Sequence, residues 1–144
     1  MTHKELDCAV VCDVDEAMTN QAASQVEKAR GKKPDIAKDF RRVMERKDID
    51  AVLVATPDHW HALPTVFACQ TGKDVYVEKP LATSIDEGRA MLEAAKRNKR
   101  VVQMGTQWRS GSHQKNAIDF IKSGKLGKIS IVRGWAYLDW LGAM

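Results

Sequence analysis

The stretch of sequence that decides the fold is AVLVATPDHWH, residues 51–61. Its first five residues, 51–55, are all apolar. A short uninterrupted apolar run is typical of a strand that is buried on both faces of a parallel sheet. Thr56 and Pro57 follow immediately and close the run. We therefore predict a buried strand that ends in a turn at these two residues.

A second strand with a polar end comes next along the chain. The apolar run at residues 75–77 ends in Glu78, Lys79 and Pro80. Open α/β sheets bind ligands in a crevice at the carboxyl ends of their strands, so two polar strand ends predict such a crevice. Neighbouring side chains on a strand point to opposite faces, and both can reach one crevice only if the chain bends. Pro80 would supply that bend, and its peptide bond can adopt the cis form.

The rest of the chain alternates between strand and helix patterns. We predict strands at residues 7–12, 51–55, 75–77 and 100–104, and helices at residues 16–30, 39–46, 59–71, 84–98 and 112–123. This alternation is typical of a doubly wound parallel sheet with helices on both faces, which is an α/β fold. The last three strands should be parallel neighbours, because their connecting helices are all present.

The C-terminal stretch has a different pattern. In residues 128–137, Ile129, Ile131, Trp135 and Tyr137 alternate with polar or smaller residues. A period of two is typical of a strand with one exposed face. We predict that this is the first strand of a second, α+β domain. The domains are therefore 1–124, a partial parallel-sheet domain, and 125–144, the beginning of the second domain.

Composition argues against a nucleic-acid partner. The chain has 144 residues and a net charge of +4, from 23 basic and 19 acidic residues. Its basic clusters, at residues 28–33 and 96–100, fall at predicted helix C-termini, where positive charge complements the helix dipole. No aromatic interleaving accompanies them, so we expect no binding to nucleic acid.

The cysteine pattern and the hydropathy of the chain indicate in which cellular compartment the protein is expected. Cys8, Cys12 and Cys69 form no Cys-x-x-Cys pair and no disulfide framework, and we predict that all three are buried. No apolar stretch approaches the roughly 18 residues that span a bilayer, so we expect no membrane partner. The chain as it stands is expected to be cytoplasmic, although an export signal could be missing upstream.

Asp13 is a candidate ligand for a nucleotide. It ends the first predicted strand, where an acid in a dinucleotide fold accepts hydrogen bonds from the adenosine ribose and repels a 2′-phosphate. This position favours NAD over NADP. An acid here could instead cap the following helix, and Asp15 is the better candidate for that role.

Asp58, His59 and His61 belong to the turn after the strand predicted at residues 51–55. This turn and the helix that follows it would offer backbone N–H groups to a ligand. The alternative is a His-x-His metal pair at His59 and His61. A zinc site needs a third and usually a fourth protein ligand, and the sequence supplies no convincing candidate, so we expect no metal.

Lys79 is the candidate catalytic residue. Its ammonium could hydrogen-bond a substrate hydroxyl and stabilise the developing oxyanion, and a partly desolvated lysine can move a proton near neutral pH. The alternative is an ordinary surface pair with Glu78. Further along, Gln107 and Arg109 could recognise polyol hydroxyls or an acidic group, or could simply cap their loop.

Together these strand ends resemble the nucleotide-binding half of the Gfo/Idh/MocA oxidoreductases, the glucose-fructose oxidoreductase and inositol dehydrogenase family. The resemblance extends over residues 8–140 and implies an incomplete Rossmann-type sheet. Two motifs resemble those of a bacterial subgroup of the family that acts on sugars or cyclitols. They are Asp-His-Trp-His at residues 58–61 and Gly-Thr-Gln-x-Arg-Ser at residues 105–110.

The resemblance implies an NAD(P)-dependent oxidation of a secondary alcohol by hydride transfer, with NAD preferred to NADP. The substrate would be a small sugar or polyol, and the complete enzyme a homo-oligomer. The cofactor site would comprise Asp13, Thr56, Pro57, Asp58, His59, His61, Glu78, Lys79 and Pro80. Lys79, Gln107 and Arg109 would contact the substrate.

Two departures from the family pattern limit this expectation. None of the nine glycines begins a Gly-x-Gly-x-x-Gly, the loop that cradles the pyrophosphate, and the family's first strand and most of its second domain are not found in the sequence. We therefore expect an internal piece of a longer enzyme, inactive by itself. Two alternatives stay open: an inactive nucleotide-fold remnant or binding module, and a family member that uses NAD transiently to cleave glycosides.

Overall fold

The computed structural model describes residues 6–135, and the chain divides into two compact units, Met1–Gly105 and Thr106–Met144. The first unit alternates strands and helices. They are β1 (Val10–Cys12), α1 (Glu16–Arg30), β2 (Asp35–Ala37), α2 (Phe40–Met44), β3 (Ala51–Val54), α3 (Ala62–Gln70), β4 (Asp74–Glu78), α4 (Ile85–Asn98) and β5 (Val102–Gly105). The predicted α/β class is confirmed.

All paired strands are parallel, and they form two sheets. One sheet contains β1 and β2, and the other has the order β3-β4-β5. In the second sheet Val54 lies opposite Val77, and Glu78 lies opposite Gly105. The prediction that the last three strands are parallel neighbours is confirmed, because a helix crossover joins each consecutive pair.

The core lies between the β3-β4-β5 sheet and helices α3 and α4. Alternation along the strands turns Val54, Val75 and Val77 toward this layer, where all three are buried. They pack with residues of α3 and α4, of which Cys69 and Met91 are almost fully buried. The prediction that β3 is buried on both faces is wrong, because Leu53, on its opposite face, is 68% exposed.

Local sequence determines where the long helices begin and end. Asp15 caps α1, its carboxylate accepting from the N–H groups of Ala17 and Met18, and the helix ends at Gly31 in the left-handed conformation. Ser84 and Glu87 form a capping box at the start of α4. The predicted bounds of α1 therefore hold to the residue.

Three further predictions about this unit need correction. Strand β2 was not predicted, and it forms because Asp35–Ala37 pairs with β1. Helix α3 begins at Ala62, because residues Asp58–Trp60 form a separate 3-10 turn. Cys12 is exposed and Cys8 half-buried, since both lie in or before β1 at the margin of a two-stranded sheet; only Cys69 is buried as predicted.

The second unit contains a 3-10 turn at Gln107–Ser110 and helix α5 (Ser112–Lys122). Residues 128–135 form no strand, contrary to the predicted strand over 128–137, whose last two residues lie outside the described part. Extended backbone becomes a strand only by pairing, and residues 128–135 pair with no other strand in the described part. The assignment of residues 125–144 to a second domain stays a prediction. Among the described residues no helix is long and apolar enough to cross a bilayer.

Candidate active site

The carboxyl ends of three parallel strands meet at one edge of the larger sheet. There β3 is followed by Thr56 and Pro57, and β4 ends at Glu78, opposite the last residue of β5, Gly105. Because the strands are parallel and in register, the turn after β3 and the segment after β4 lie at the same edge. The sequence predicted this meeting of the two segments.

His61 joins these two segments. Its ring is 1% exposed, with Nε2 2.9 Å from the carbonyl oxygen of Thr56 and Nδ1 2.6 Å from the carbonyl oxygen of Pro80. The resemblance assigned this residue to direct contact with the cofactor. The structure instead turns both ring nitrogens toward backbone of the chain itself. For the same reason His61 has no ring nitrogen turned toward a metal shared with His59.

The turn after β3 is held by hydrogen bonds between its own residues. The Trp60 N–H donates to the Pro57 carbonyl oxygen at 2.8 Å, and the His61 N–H donates to that of Asp58 at 3.2 Å. The Thr56 hydroxyl donates to the Trp60 carbonyl oxygen. These bonds fix the shape of the turn and use the N–H groups of Trp60 and His61 within it.

Lys79 follows β4 directly. Its backbone N–H donates to the Glu78 carboxylate at 3.3 Å, and its side chain is exposed at the sheet edge. The Lys79–Pro80 peptide bond is cis, as the sequence allowed. Glu78 itself is half-buried, so its carboxylate is held close to the sheet while the ammonium of Lys79 is accessible to a ligand.

Gly105 is a site residue that the sequence analysis missed. A Cβ built on it would lie 2.9 Å from the Tyr76 hydroxyl and 3.0 Å from Glu78 Oε2. The Tyr76 and Glu78 side chains therefore occupy the space beside Gly105 that a larger residue's side chain would need. The signal was a glycine directly after the strand predicted at residues 100–104, where a close approach of neighbours often requires it.

Glu87 holds the loop that follows Pro80. Its carboxylate accepts from the hydroxyl and the N–H of Thr83 and from the N–H of Ser84. The bond from the Thr83 side chain, followed by these backbone bonds, lowers the pKa of Glu87, and the nearby His59 adds to the effect. The loop after the candidate catalytic residue is thereby tied to the start of α4.

Asp13 lies at the carboxyl end of β1, in the smaller sheet. It is exposed, and one carboxylate oxygen accepts from the Asp15 N–H at 2.9 Å. Asp15 is the helix cap, so the competing role for Asp13 is already filled. Although Cys12 is exposed, partial desolvation of its thiol raises its pKa, and the carboxylates of Asp13 and Asp39 raise it further. The end of β1 is therefore an electronegative surface.

A cavity of about 540 Å³ lies elsewhere, at the amino ends of the strands. The buried Lys73 lines it, but its ammonium donates to the carbonyl oxygens of Arg46 and Ile49. Arg100 similarly donates to the carbonyl oxygen of Gly72. These bonds connect the loops that precede the strands. The polar groups of the cavity therefore stabilise the fold, and the candidate active site lies at the opposite, carboxyl ends of the strands.

Gln107 and Arg109 belong to the second unit. Both are exposed on its 3-10 turn, which is closed by bonds such as that from the Arg109 N–H to the Thr106 carbonyl oxygen. Their predicted contact with substrate stays a prediction.

The chain matches known proteins over most of its length. The model of the Gfo/Idh/MocA oxidoreductase family, described as an NAD-binding Rossmann fold, matches residues 1–106. Levoglucosan dehydrogenase of Pseudarthrobacter phenanthrenivorans is 34% identical over 102 residues, 71% of this chain and 26% of that protein. Alpha-N-acetylgalactosaminidase of Shewanella oneidensis is 25% identical over 128 residues, 86% of this chain and 28% of that protein.

Solved structures agree on the fold. Scyllo-inositol dehydrogenase of Lactobacillus casei superposes with a TM-score of 0.74 at 23% identity, over 86% of this chain and 36% of that one. An oxidoreductase domain protein of Kribbella flavida superposes with a TM-score of 0.71 at 30% identity, over 84% and 32%. The chain thus spans about a quarter to a third of the length of these proteins. The chain belongs to the Gfo/Idh/MocA oxidoreductase family, and its residues 1–106 match that family's NAD-binding Rossmann fold.

Proposed function

We propose that this chain is the cofactor-binding part of an enzyme that oxidises a secondary alcohol of a sugar or cyclitol by hydride transfer to NAD. The observation that carries the proposal is the accessible Lys79 beside Glu78, at the edge where three parallel strands end. Family membership supports it, as does a scyllo-inositol dehydrogenase with the same fold that was solved with NAD(H) and scyllo-inositol.

The end of β1 fits the adenosine side of NAD. One carboxylate oxygen of Asp13 accepts from the Asp15 N–H, and the other oxygen can accept from ribose hydroxyls. Asp39 adds negative charge near the same strand end, although it is paired with Arg41 at 3.3 Å. Two carboxylates here would repel a 2′-phosphate, which supports NAD in preference to NADP.

The strand ends of the larger sheet would hold the nicotinamide half of NAD and the substrate. When bound, NAD supplies the hydride acceptor. Lys79, desolvated by the bound substrate, would take the proton of the substrate hydroxyl, and the resulting ammonium would hydrogen-bond the oxygen while the hydride passes to NAD and the carbonyl forms. Glu78 would hold the nicotinamide ribose, with Thr56, Pro57, Asp58 and His59 lining the cofactor. In the second unit Gln107 and Arg109 would contact the sugar, and the whole enzyme would be a homo-oligomer.

The test uses the full-length protein that carries these residues. It is incubated with NAD and a panel of inositols, free sugars and anhydro sugars, and formation of NADH is followed by absorbance. We expect NADH with at least one cyclitol or sugar, and a lower rate with NADP. If NAD binds but no alcohol on a broad panel is oxidised, the chain is part of a binding module and the proposal is wrong.

A second candidate function rests on a specific similarity. The Shewanella relatives include an alpha-N-acetylgalactosaminidase and several glycosyl hydrolase family 109 proteins, and the first covers 86% of this chain. In this alternative, NAD would be used transiently while a glycosidic bond is cleaved. A chromogenic N-acetylgalactosaminide separates the two: release of the aglycone without net NADH would favour the glycosidase.

A further inference from the structure

We propose that His61 is a positioning residue that sets the spacing between the turn after β3 and the segment after β4. The inference rests on the proposed function only for its catalytic consequence. The bridge itself is a property of the described residues, in which one buried imidazole reaches the carbonyl oxygens of both Thr56 and Pro80.

The backbone of His61 is held independently of its ring. Its N–H donates to the Asp58 carbonyl oxygen, and its own carbonyl oxygen accepts from the hydroxyl of Thr65 at 2.8 Å. The ring therefore projects from a fixed point at the start of α3. Because it is 1% exposed, water does not compete for its nitrogens, and each bond it makes is strengthened by the low local dielectric.

The two acceptors lie where movement would matter. The Thr56 carbonyl belongs to the turn that would line the cofactor, and the Pro80 carbonyl lies one residue beyond Lys79. Carbonyl oxygens only accept hydrogen bonds, so the ring holds one segment by a bond in each neutral tautomer and both in the doubly protonated form. A misplacement of about 1 Å at a reacting group can cost about a hundredfold in rate.

Two substitutions separate the two arms of the bridge. The amide nitrogen of glutamine lies roughly where Nε2 of histidine lies, so His61→Gln keeps the link to Thr56 and loses the link to Pro80. The amide nitrogen of asparagine lies roughly where Nδ1 lies, so His61→Asn keeps the link to Pro80 and loses the other. Thr71→Val is the control, because its hydroxyl donates to the carbonyl oxygens of Phe67 and Ala68 at the other end of α3 and bonds neither segment.

Hydrogen–deuterium exchange of the full-length protein tests the bridge without substrate. Where both ring nitrogens of the wild-type His61 are protonated, we expect His61→Gln to raise deuterium uptake in peptides covering residues 78–84, and His61→Asn to raise it in peptides covering residues 55–60. Thr71→Val should leave both segments near wild type. Equal uptake in all variants, or a rise of both segments in Thr71→Val as well, would overturn the proposal.

Steady-state kinetics test the catalytic consequence. His61→Gln should lower kcat by about tenfold to a hundredfold with a small change in KM for NAD, because Lys79 moves, whereas His61→Asn should mainly raise KM for NAD. The same kcat loss in both variants would overturn the assignment of separate arms. If the wild-type protein oxidises no alcohol, the proposed function fails while the exchange data still decide the bridge.

Discussion

Lys79 carries the chemical part of the proposal, and its removal should affect turnover more than binding. In the full-length enzyme we expect Lys79→Ala to lower kcat by roughly a hundredfold or more, because the developing charge on the substrate oxygen loses its hydrogen-bond donor. The affinity for NAD, measured by calorimetry, should change little. Lys79 lies at the end of β4, whereas the residue assigned to the adenosine ribose, Asp13, ends β1 in the other sheet.

The matched control is Lys96→Ala, which removes the same charge from an exposed position on α4. It should leave both kcat and NAD affinity near wild type. Near-full turnover in Lys79→Ala would show that this lysine is only a surface residue of the turn.

Asp13 should determine the choice of cofactor. Asp13→Asn keeps an oxygen that can accept from the Asp15 N–H but removes the negative charge. Hydrogen bonds to charged groups contribute about 1.5–3 kcal/mol, so we expect the ratio of kcat/KM for NAD over NADP to fall by about tenfold or more. Asp15→Asn is the control, since asparagine caps a helix as well as aspartate does. An unchanged ratio in Asp13→Asn would remove Asp13 from the ribose site.

Gly105 should be sensitive to a single methyl group. Its added Cβ would lie 2.9 Å from the Tyr76 hydroxyl, so Gly105→Ala forces that side chain or Glu78 to move. We expect a loss of about 1–3 kcal/mol in the free energy of unfolding, measured with urea. Tyr76→Phe in the same background should recover part of it. Gly88→Ala, in the open interior of α4, should instead stabilise by about 0.5–1 kcal/mol.

At the scale of elements, the capping box of α4 should make stability depend on pH. The pKa of Glu87 is lowered in the folded chain, so its contribution is full above the ordinary range of a glutamate and is lost as pH falls through the lowered value. Glu87→Gln can keep the cap but does not titrate. The difference in unfolding free energy between wild type and Glu87→Gln should therefore shrink in acid. A difference that is constant from neutral to acidic pH would contradict this.

Local signals predicted the elements that depend on local chemistry. Helix α1 has its own cap at Asp15 and its own stop at Gly31, and α4 has a capping box, so both could be placed from the sequence. Strand β2 has three residues and no periodicity, and it exists only because β1 lies beside it. Tertiary pairing of that kind leaves no mark on the sequence of the segment.

The candidate site shows the same division. The position of Lys79 and Thr56 at one sheet edge follows from strand order, which parallel crossovers determine. The orientation of His61 does not follow, because a histidine in a polar turn gives no indication of which carbonyl groups its ring will meet. The close approach over Gly105 likewise depends on the rotamers of Tyr76 and Glu78 on a neighbouring strand.

At the scale of the whole molecule, the two sheets leave edges unpaired. Among the described residues β1 pairs only with β2, and β3 pairs only with β4, so each has one edge free of strand partners. Exposed Leu53 lies on β3 itself, and Val14 lies just beyond β1. Open edges with exposed apolar side chains are a template for pairing with another chain.

We therefore expect the 144-residue chain, expressed alone, to self-associate through these edges and to unfold at a modest temperature. Leu53→Lys should reduce association, because a lysine at an edge strand opposes pairing with a second copy. Leu92→Lys is the control, since Leu92 is also exposed but lies on α4. Analytical ultracentrifugation over a concentration series measures the effect. A monodisperse wild-type monomer with a cooperative, high-temperature transition would show that the open edges cost little, as would equal association of the two lysine variants.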